Sequence, residues 1–517
     1  MGRVLTNNVS LQYAVESTEL AGGAVGLLVG ETGAPAGTPE WYALEPNEYG
    51  DIGATITKIP RNPISNTRQR RKGAISDLDS QANYGADLIF SHLRYFAEAY
   101  FFSTFDGAIQ FQPTATDADS YTVNDLSVVL DENTLIYSRG FVGATNNGLK
   151  VVDVGSTSTD IVVKGGGMTV ETPVGNASVE VAGFRSAAGD LAVSAVTATS
   201  EGTQVTITSA ANIFNSTALN LVPGQFICFA EGSAALNKFT TATNIGYAKI
   251  VSVDSGGANI VIDETKDLWV VEVAAAQEVE FFVGTYSRNV KTDDPLFLER
   301  SVQFEIGLPN LDNNPSGDMY EYSKGNYAGT LDIAMVLSDK VTLSFGFIGT
   351  DTDNPTSTRK AGASAPLLPL MTEAFSTTSD CIRMRITKVD ETGITTDFKS
   401  LTLKINNNVS PEKVLCNLGA RFMNYGNFEI DGEGELLFTD AAVPAAIRGN
   451  ETVAMTFGAR NEDGAYMFHI PSMTMGGGNR SYPINQSVTV NITGEAYADS
   501  VLDISLGLTM FPYIPVV

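Results

Sequence analysis

Two runs near residue 340 carry large apolar side chains at every second position. Leu331, Ile333, Met335 and Leu337 fall on one side of an extended chain, and after Ser338-Asp339-Lys340 the same spacing gathers Val341, Leu343, Phe345 and Phe347. A period of two on both sides of a short polar turn is the pattern of an antiparallel hairpin that buries one face. Ile52 to Ile59 alternates in the same way, and Ala74 to Gly85 reads as its returning partner, so a long first hairpin is expected. Between them lies a loop carrying Arg61, Arg68, Arg70, Arg71 and Lys72 with no carboxylate, in which Asn62-Pro63 disfavours helix. The period then changes. Ile89, Leu93, Phe96, Ala97 and Tyr100 follow at spacings of three and four, the mark of one helix packed on one face, with Asp87 placed to cap it.

Residues 108 to 286 are short alternating runs rich in Val, Thr, Ser and Gly, an all-β composition with frequent turns. A faint repeat lies inside it. Asn147 to Val154 followed by Ile161 to Val163 is similar to Asn244 to Val253 followed by Ile260 to Ile262, each copy reading as strand, turn and strand. Two small β-barrels are expected, about 108–187 and 188–286. Asp351 to Gly362 is the best candidate for a linker. Beyond it the first pattern recurs: Leu401, Leu403 and Ile405 alternate into Asn406, Asn407 and Asn408, and a polar arm runs to Gly419. A strand reaches Phe438, a short helix falls between Asp440 and Arg448 with Gly449 as its stop, and further strands close the chain. Arm, strand, helix and meander therefore occur twice.

At 517 residues the chain exceeds one ordinary core. Its formal charge of −27 disfavours general adhesion to nucleic acid or to an anionic membrane. No apolar run approaches the roughly 18 residues that span a bilayer, and MGRVLTNNVS lacks a signal-peptide core, so synthesis in a cytoplasm is expected. Cys228, Cys381 and Cys416 are odd in number and far apart, which suits buried thiols better than a disulfide framework or a zinc site. Catalytic patterns are missing: His92 and His469 are the only histidines, each in an amphipathic context, and no nucleophile elbow, zinc-protease motif or phosphate loop occurs. Asp77-Leu78-Asp79 and Asp351-Thr352-Asp353-Asn354 could attract calcium, yet neither has the glycine and glutamate of an EF-hand loop. No cofactor or metal is expected, and no enzyme activity.

The run RNPIS followed by RQRRKG, the preceding Trp41 to Asn47 and the helix after it resemble the amino-terminal part of major tail tube proteins of long-tailed bacteriophages. The resemblance continues at Asn406-Asn407-Asn408, at Gly419 to Asp440 and at Val501 to Phe511. It implies a mainly β protein: two tandem tail-tube sandwich or barrel domains, each with one flanking helix, plus the inserted β-rich region. The expected division is 1–107 and 287–355 for the first tube domain, 108–286 for an outward-facing insertion and 356–517 for the second. The resemblance further implies self-assembly into stacked rings, three subunits imitating six. Arg61, Arg68, Arg70, Arg71, Lys72, Asn406, Asn407 and Asn408 would lie on arm loops between subunits or rings. Implied partners are other copies of the chain, a tape-measure protein, tail terminator and baseplate proteins, and genomic DNA passing through the lumen without specific binding; no membrane is involved. The implied location is the virion tail, after synthesis in the bacterial cytoplasm. A secreted β-rich adhesin or carbohydrate-binding protein is the alternative, and a carboxylate-only hydrolase a third reading.

Overall fold

The computed structural model describes the chain apart from residues 1–5, 18–25, 33, 65, 67–68, 127, 174, 200–201, 230–236, 310–316, 389–392, 396, 440 and 516–517. The alternating runs pair as their spacing demands. Strand β1 is Ser10–Val15, β2 is Trp41–Leu44, β3 is Pro46–Arg61 and β4 is Arg71–Asp87, and helix α1 is Phe90–Phe101. After β5, Asp106–Gly107, the chain leaves for the Val- and Thr-rich region and returns as β6, Thr285–Arg288. Then come β7, Ser301–Leu308, β8, Met319–Val336, β9, Thr342–Gly349, β10, Cys381–Lys388, and β11, Phe398–Asn406. The last elements are β12, Glu429–Leu437, α2, Ala442–Gly449, β13, Thr452–Asn461, β14, Gly464–Ser481, β15, Thr489–Ala496, and β16, Gly507–Phe511.

Eight strands form an antiparallel ladder in the order β3–β4–β9–β8–β11–β12–β15–β14. The first halves of β8 and β14 leave this inner layer and build a second one. There β8 pairs with β7, which continues to β1 and β2; β14 pairs with β13 and β16, and β16 continues to β6 and β5. One core fills the space between the layers and runs through both halves of the chain, from Leu11 and Tyr84 to Val490 and Met510. Phe345 is part of it, stacked 4.9 Å from Tyr84 and tilted against Phe96 of α1 at 5.2 Å. Leu331, Ile333, Met335, Val341, Leu343, Phe345 and Phe347 are all buried, as their period requires, while Leu337 lies in the turn and is exposed.

Neither helix is capped by the residue expected to cap it. Asp87 ends β4, and its carboxylate bonds Asn47 and Lys340 instead of capping α1, whose first turn opens from Ile89. Nine of the twelve residues of α1 are buried, so tertiary packing replaces the missing cap. Gly449 is the last residue of α2; the stop is Asn450, in the left-handed region at φ 49°. The proposed linker is bound along its length: Thr356 bridges to Tyr320, Arg359 to Glu305, and Ala361 accepts the indole N–H of Trp41.

The region between β5 and β6 has its own core, from Ala108 to Val283, and β5 and β6 pair with each other where it leaves and returns. Its strands do not divide into barrels at residue 187. Ser178–Ser186 pairs with Thr134–Arg139 on one side and with Val279–Phe282 on the other, joining both parts in one ten-stranded sheet. The repeat is half visible. Gly246–Val253 and Asn259–Asp263 form a hairpin, whereas Gly148–Val151 and Asp160–Val162 join different sheets and touch only at the Val152–Val163 bridge.

Buried ion pairs fasten this region to the second layer. Arg94 of α1 meets Glu180 at 2.5 Å, and Arg139 donates to the carbonyls of Asp463 and Pro512. Arg383 donates to the Glu264 carbonyl at 2.9 Å and to its carboxylate at 3.1 Å, and Lys249 and Thr456 complete the carboxylate's partners at 3.0 Å. Burial alone would raise the Glu264 carboxyl, but Lys249 and the other surrounding cations hold it well below the usual range. His469 stands 3.8 Å from Glu264, and burial lowers it to about 3, so it is neutral and accounts for no ion pair. Burial likewise lowers His92 to about 4.

Both imidazoles are therefore held neutral in the fold while the unfolded chain protonates them near pH 6.5, so their contribution is complete above that pH and is lost as pH falls toward 4. Urea midpoints measured from pH 7.5 to 4.5 should decline, and His92→Gln with His469→Gln should flatten the decline by about 1 kcal/mol per pH unit for each residue.

Candidate assembly surface

The inner ladder ends in two unpaired borders. At one end β3 pairs only with β4 among the described residues; at the other, residues 475 to 481 of β14 pair only with β15. Pro46 and Pro60 lie near the two ends of β3, but residues 52–57 between its register shifts run in regular pairing without a proline, and Ile56 and Ile59 of β3 are exposed. Such borders present rows of free N–H and C=O groups, which are templates for another strand.

The face of this ladder turned away from the core is acidic. On β12 the sequence EIDGEGE sends Ile430 inward and Glu429, Asp431, Glu433 and Glu435 outward, with Asp332 and Glu495 on the same face of neighbouring strands. Lys404 meets Glu433 at 2.8 Å and Lys399 meets Glu435 at 3.5 Å, leaving an excess of carboxylates. Partial burial raises the Asp332 carboxyl. The alternation of acids at positions 429 to 435 was open to a sequence reading and escaped it.

Each half of the ladder carries an arm. In the first, β3 and β4 extend beyond the core as a long hairpin with several register shifts, in which Arg61 lies opposite Arg71. Arg61, Arg70, Arg71 and Lys72 are all exposed, and none has a carboxylate within ion-pair distance among the described residues; Arg68 lies outside those residues. The second arm bends back. Asn408 takes the left-handed conformation at φ 48°, and its backbone N–H donates to the Asn406 side chain at 2.9 Å. A short hairpin, Ser410–Glu412 with Phe422–Asn424, then lies over the first half of the chain. Val409, Ala420 and Met423 bury against Phe102 and Tyr327, and Lys413 reaches Asp77 and Asp79 at 2.6 Å each. Those two aspartates, candidates for calcium in the sequence, hold an ammonium instead. Asn407 is only 2 % exposed and donates to the carbonyls of Tyr100 and Ala328, both at 3.0 Å. It staples the arm to α1, while Val414, Leu415, Leu418 and Phe422 stay exposed, Leu415 at 95 %.

Catalytic geometry is not assembled. His92 is buried 3.2 Å from the Asp87 carbonyl, His469 lies in the buried clamp, and no cluster of three metal-ligating side chains occurs among the described residues. A cleft of about 360 Å³ lies beside the clamp, where Lys249, Asp263 and Glu264 satisfy one another.

A family model described as phage tail tube protein matches residues 6–496, nearly the whole chain. The chain belongs to the phage tail tube protein family. A search of curated proteins gives no match. Membership makes this tail tube protein a structural component of the virion that associates with itself and with other tail proteins, in a family that is not one of enzymes. No helix among its described residues is long and apolar enough to cross a membrane.

Asn407→Ala would leave two buried carbonyls without their donor. It should lower the stability of the tail tube protein by about 1–3 kcal/mol in chemical denaturation and raise protease cleavage within residues 409 to 424.

Proposed function

We propose that copies of this chain close into rings that stack into the hollow conduit of a long-tailed phage, through which the genome is delivered. The observation that supports this most directly is an eight-stranded ladder with both borders open and its outer face acidic. Joined side by side, such ladders form a closed barrel without edges. With the core and helices outside, the acidic face lines the bore. Carboxylates there repel phosphate, so DNA passes without the counterion-releasing contacts that would retain it.

The repeated strand order supports two tube modules, 1–107 with 287–355 and 356–517, separated by the 108–286 insertion. Six modules per ring then require three chains, a pseudo-hexameric trimer. The insertion rests on the second layer, through Phe226 and Phe282 against Met467 and Phe511, which directs it outward and leaves the bore open. In this reading Arg61, Arg68, Arg70, Arg71 and Lys72 of the first arm and the exposed apolar residues of the second contact adjacent subunits or rings. Asn406 and Asn408 shape that second arm. A tape-measure protein would fill the bore during growth, with terminator and baseplate proteins at its ends, and assembly would begin in the host cytoplasm.

Negative-stain imaging of the purified chain at rising concentration tests this reading: hollow tubes are expected, and dispersed monomers with glycan affinity would replace it by an adhesin. Changing Arg61, Arg70, Arg71 and Lys72 to Ser should leave the monomer's melting unchanged and raise the concentration needed for tubes at moderate salt. Unchanged polymerisation would return the first arm to a solvated loop.

A further inference from the structure

The inner ladder is one four-stranded unit used twice. The order β3–β4–β9–β8 in the first half is repeated as β11–β12–β15–β14 in the second, and the two are joined where β8 pairs with β11. The two units share one bulge, and their registers agree on either side of a second that falls at Gly329 in β8 and two positions later, at Gly478, in β14. In the hairpin of β7 and β8, Val302 faces Asn326 and the next regular pair is Phe304 with Ser323; in that of β13 and β14, Val453 faces Met473 and the next is Met455 with Ile470. The same bulge thus equates Asn326 with Met473. Counting along both strands equates Asp332 with Asn479 and Ile333 with Arg480.

The neighbouring strands agree. Asp332 faces Ser344 and Asn479 faces Asn491, while Ile333 faces Leu343 and Arg480 faces Val490. Across the sheet, the row Phe347, Ala82, Ile52 in the first unit corresponds to Gly494, Gly432, Leu403 in the second. Ile52 of β3 therefore occupies the place of Leu403 of β11.

We infer that the β8–β11 junction inside the chain is the template for the junction between chains. On this inference, which rests on the tube reading above, β14 of one copy pairs antiparallel with β3 of the next, in the register of the internal junction. There Ile333 lies opposite Leu403 and Asp332 opposite Lys404. The corresponding intermolecular rows place Arg480 opposite Ile52 and Asn479 opposite Gly53 of the next copy. The segments that meet, residues 476–481 and 51–56, are the two borders that no strand among the described residues covers. The partner is a second copy because only it carries the complementary border. Helix α2 does not obstruct the approach: it lies against β14 as α1 lies against β8, which accepts β11 nonetheless.

The test is a disulfide across that row. With the exposed thiols removed by Cys381→Ser and Cys416→Ser, Ile52→Cys and Arg480→Cys are introduced together. Within one chain they lie at opposite ends of the ladder, on the order of 30 Å apart, too far for a bond. Oxidised tubes should give covalent multimers on a non-reducing gel, in a ladder that stops at the copy number of the ring. A shifted pair, Thr55→Cys with Arg480→Cys, should link roughly tenfold less, because its Cα atoms exceed disulfide reach.

Tubes that form without the 52–480 link, equal linking by the shifted pair, or linking by Ile52→Cys alone through a β3–β3 contact would each overturn the register while leaving the tube reading intact. If the double variant fails to assemble, amide exchange on the unmodified chain decides: protection gained on assembly at residues 51–56 and 476–481 supports the inference, and unchanged exchange there sinks it. An unmodified chain that forms no tubes at any concentration ends both.

Discussion

Backbone hydrogen bonding at the two ends of the inner ladder is the constraint on which the rest of this molecule turns. Each residue of a border strand carries a donor and an acceptor, and half of them point away from the sheet. In most proteins such a border is short, covered or broken by a charge or a bulge. Here β3 runs for sixteen residues and, although register shifts interrupt its pairing with β4, its outer side has no strand partner among the described residues. The core is complete within the chain, so folding does not require a partner. In the proposed tube, assembly uses what folding leaves unpaired.

The fold was legible wherever one residue type at one spacing has one physical outcome. The period of two around Ser338 has its buried face where the alternation places it, and Ile89, Leu93, Phe96, Ala97 and Tyr100 are all buried on α1. What escaped was decided by distant partners. Asn407 reads as part of a polar arm, but two carbonyls contributed by α1 and β8 pull it into the interior. Asp87 has the right chemistry for a helix cap, yet Asn47 and Lys340 engage it first. Asp77 and Asp79 read as possible calcium ligands because nothing local to them reveals Lys413, more than three hundred residues away. The division of the insertion failed for a related reason: a strand that ends one apparent unit, Ser178–Ser186, also pairs with the last strand of the other.

The same alternation that buries the core sorts the charge. A β-strand with acids at every second position and small or apolar residues between them can occupy only a sheet with one wet face. β12 is that strand, and its glycines at 432 and 434 keep the inner side thin where β11 and β15 flank it. Net charge in the sequence is a property of the whole chain. Periodicity converts it into a property of one surface, and that conversion is what links a composition of −27 to the phosphate-repelling bore of the proposed tube.

Fusing two modules changes the assembly as well as the chain. In the proposed ring, alternate junctions are covalently tethered, so their strands meet at an effective concentration set by the connection and not by the amount of protein. The β8–β11 junction forms during folding, with its own buried pair Ile333 and Leu403. Only the β14–β3 junction remains to be formed between molecules, and it can be weaker. Fusion also frees the two arms to differ. The second docks at home through Lys413 and Asn407, whereas the first, with its unpaired arginines, has no carboxylate to meet among the described residues of its own chain. An arm that finds its partner within the chain stabilises the subunit; an arm that does not is left to connect one subunit to another.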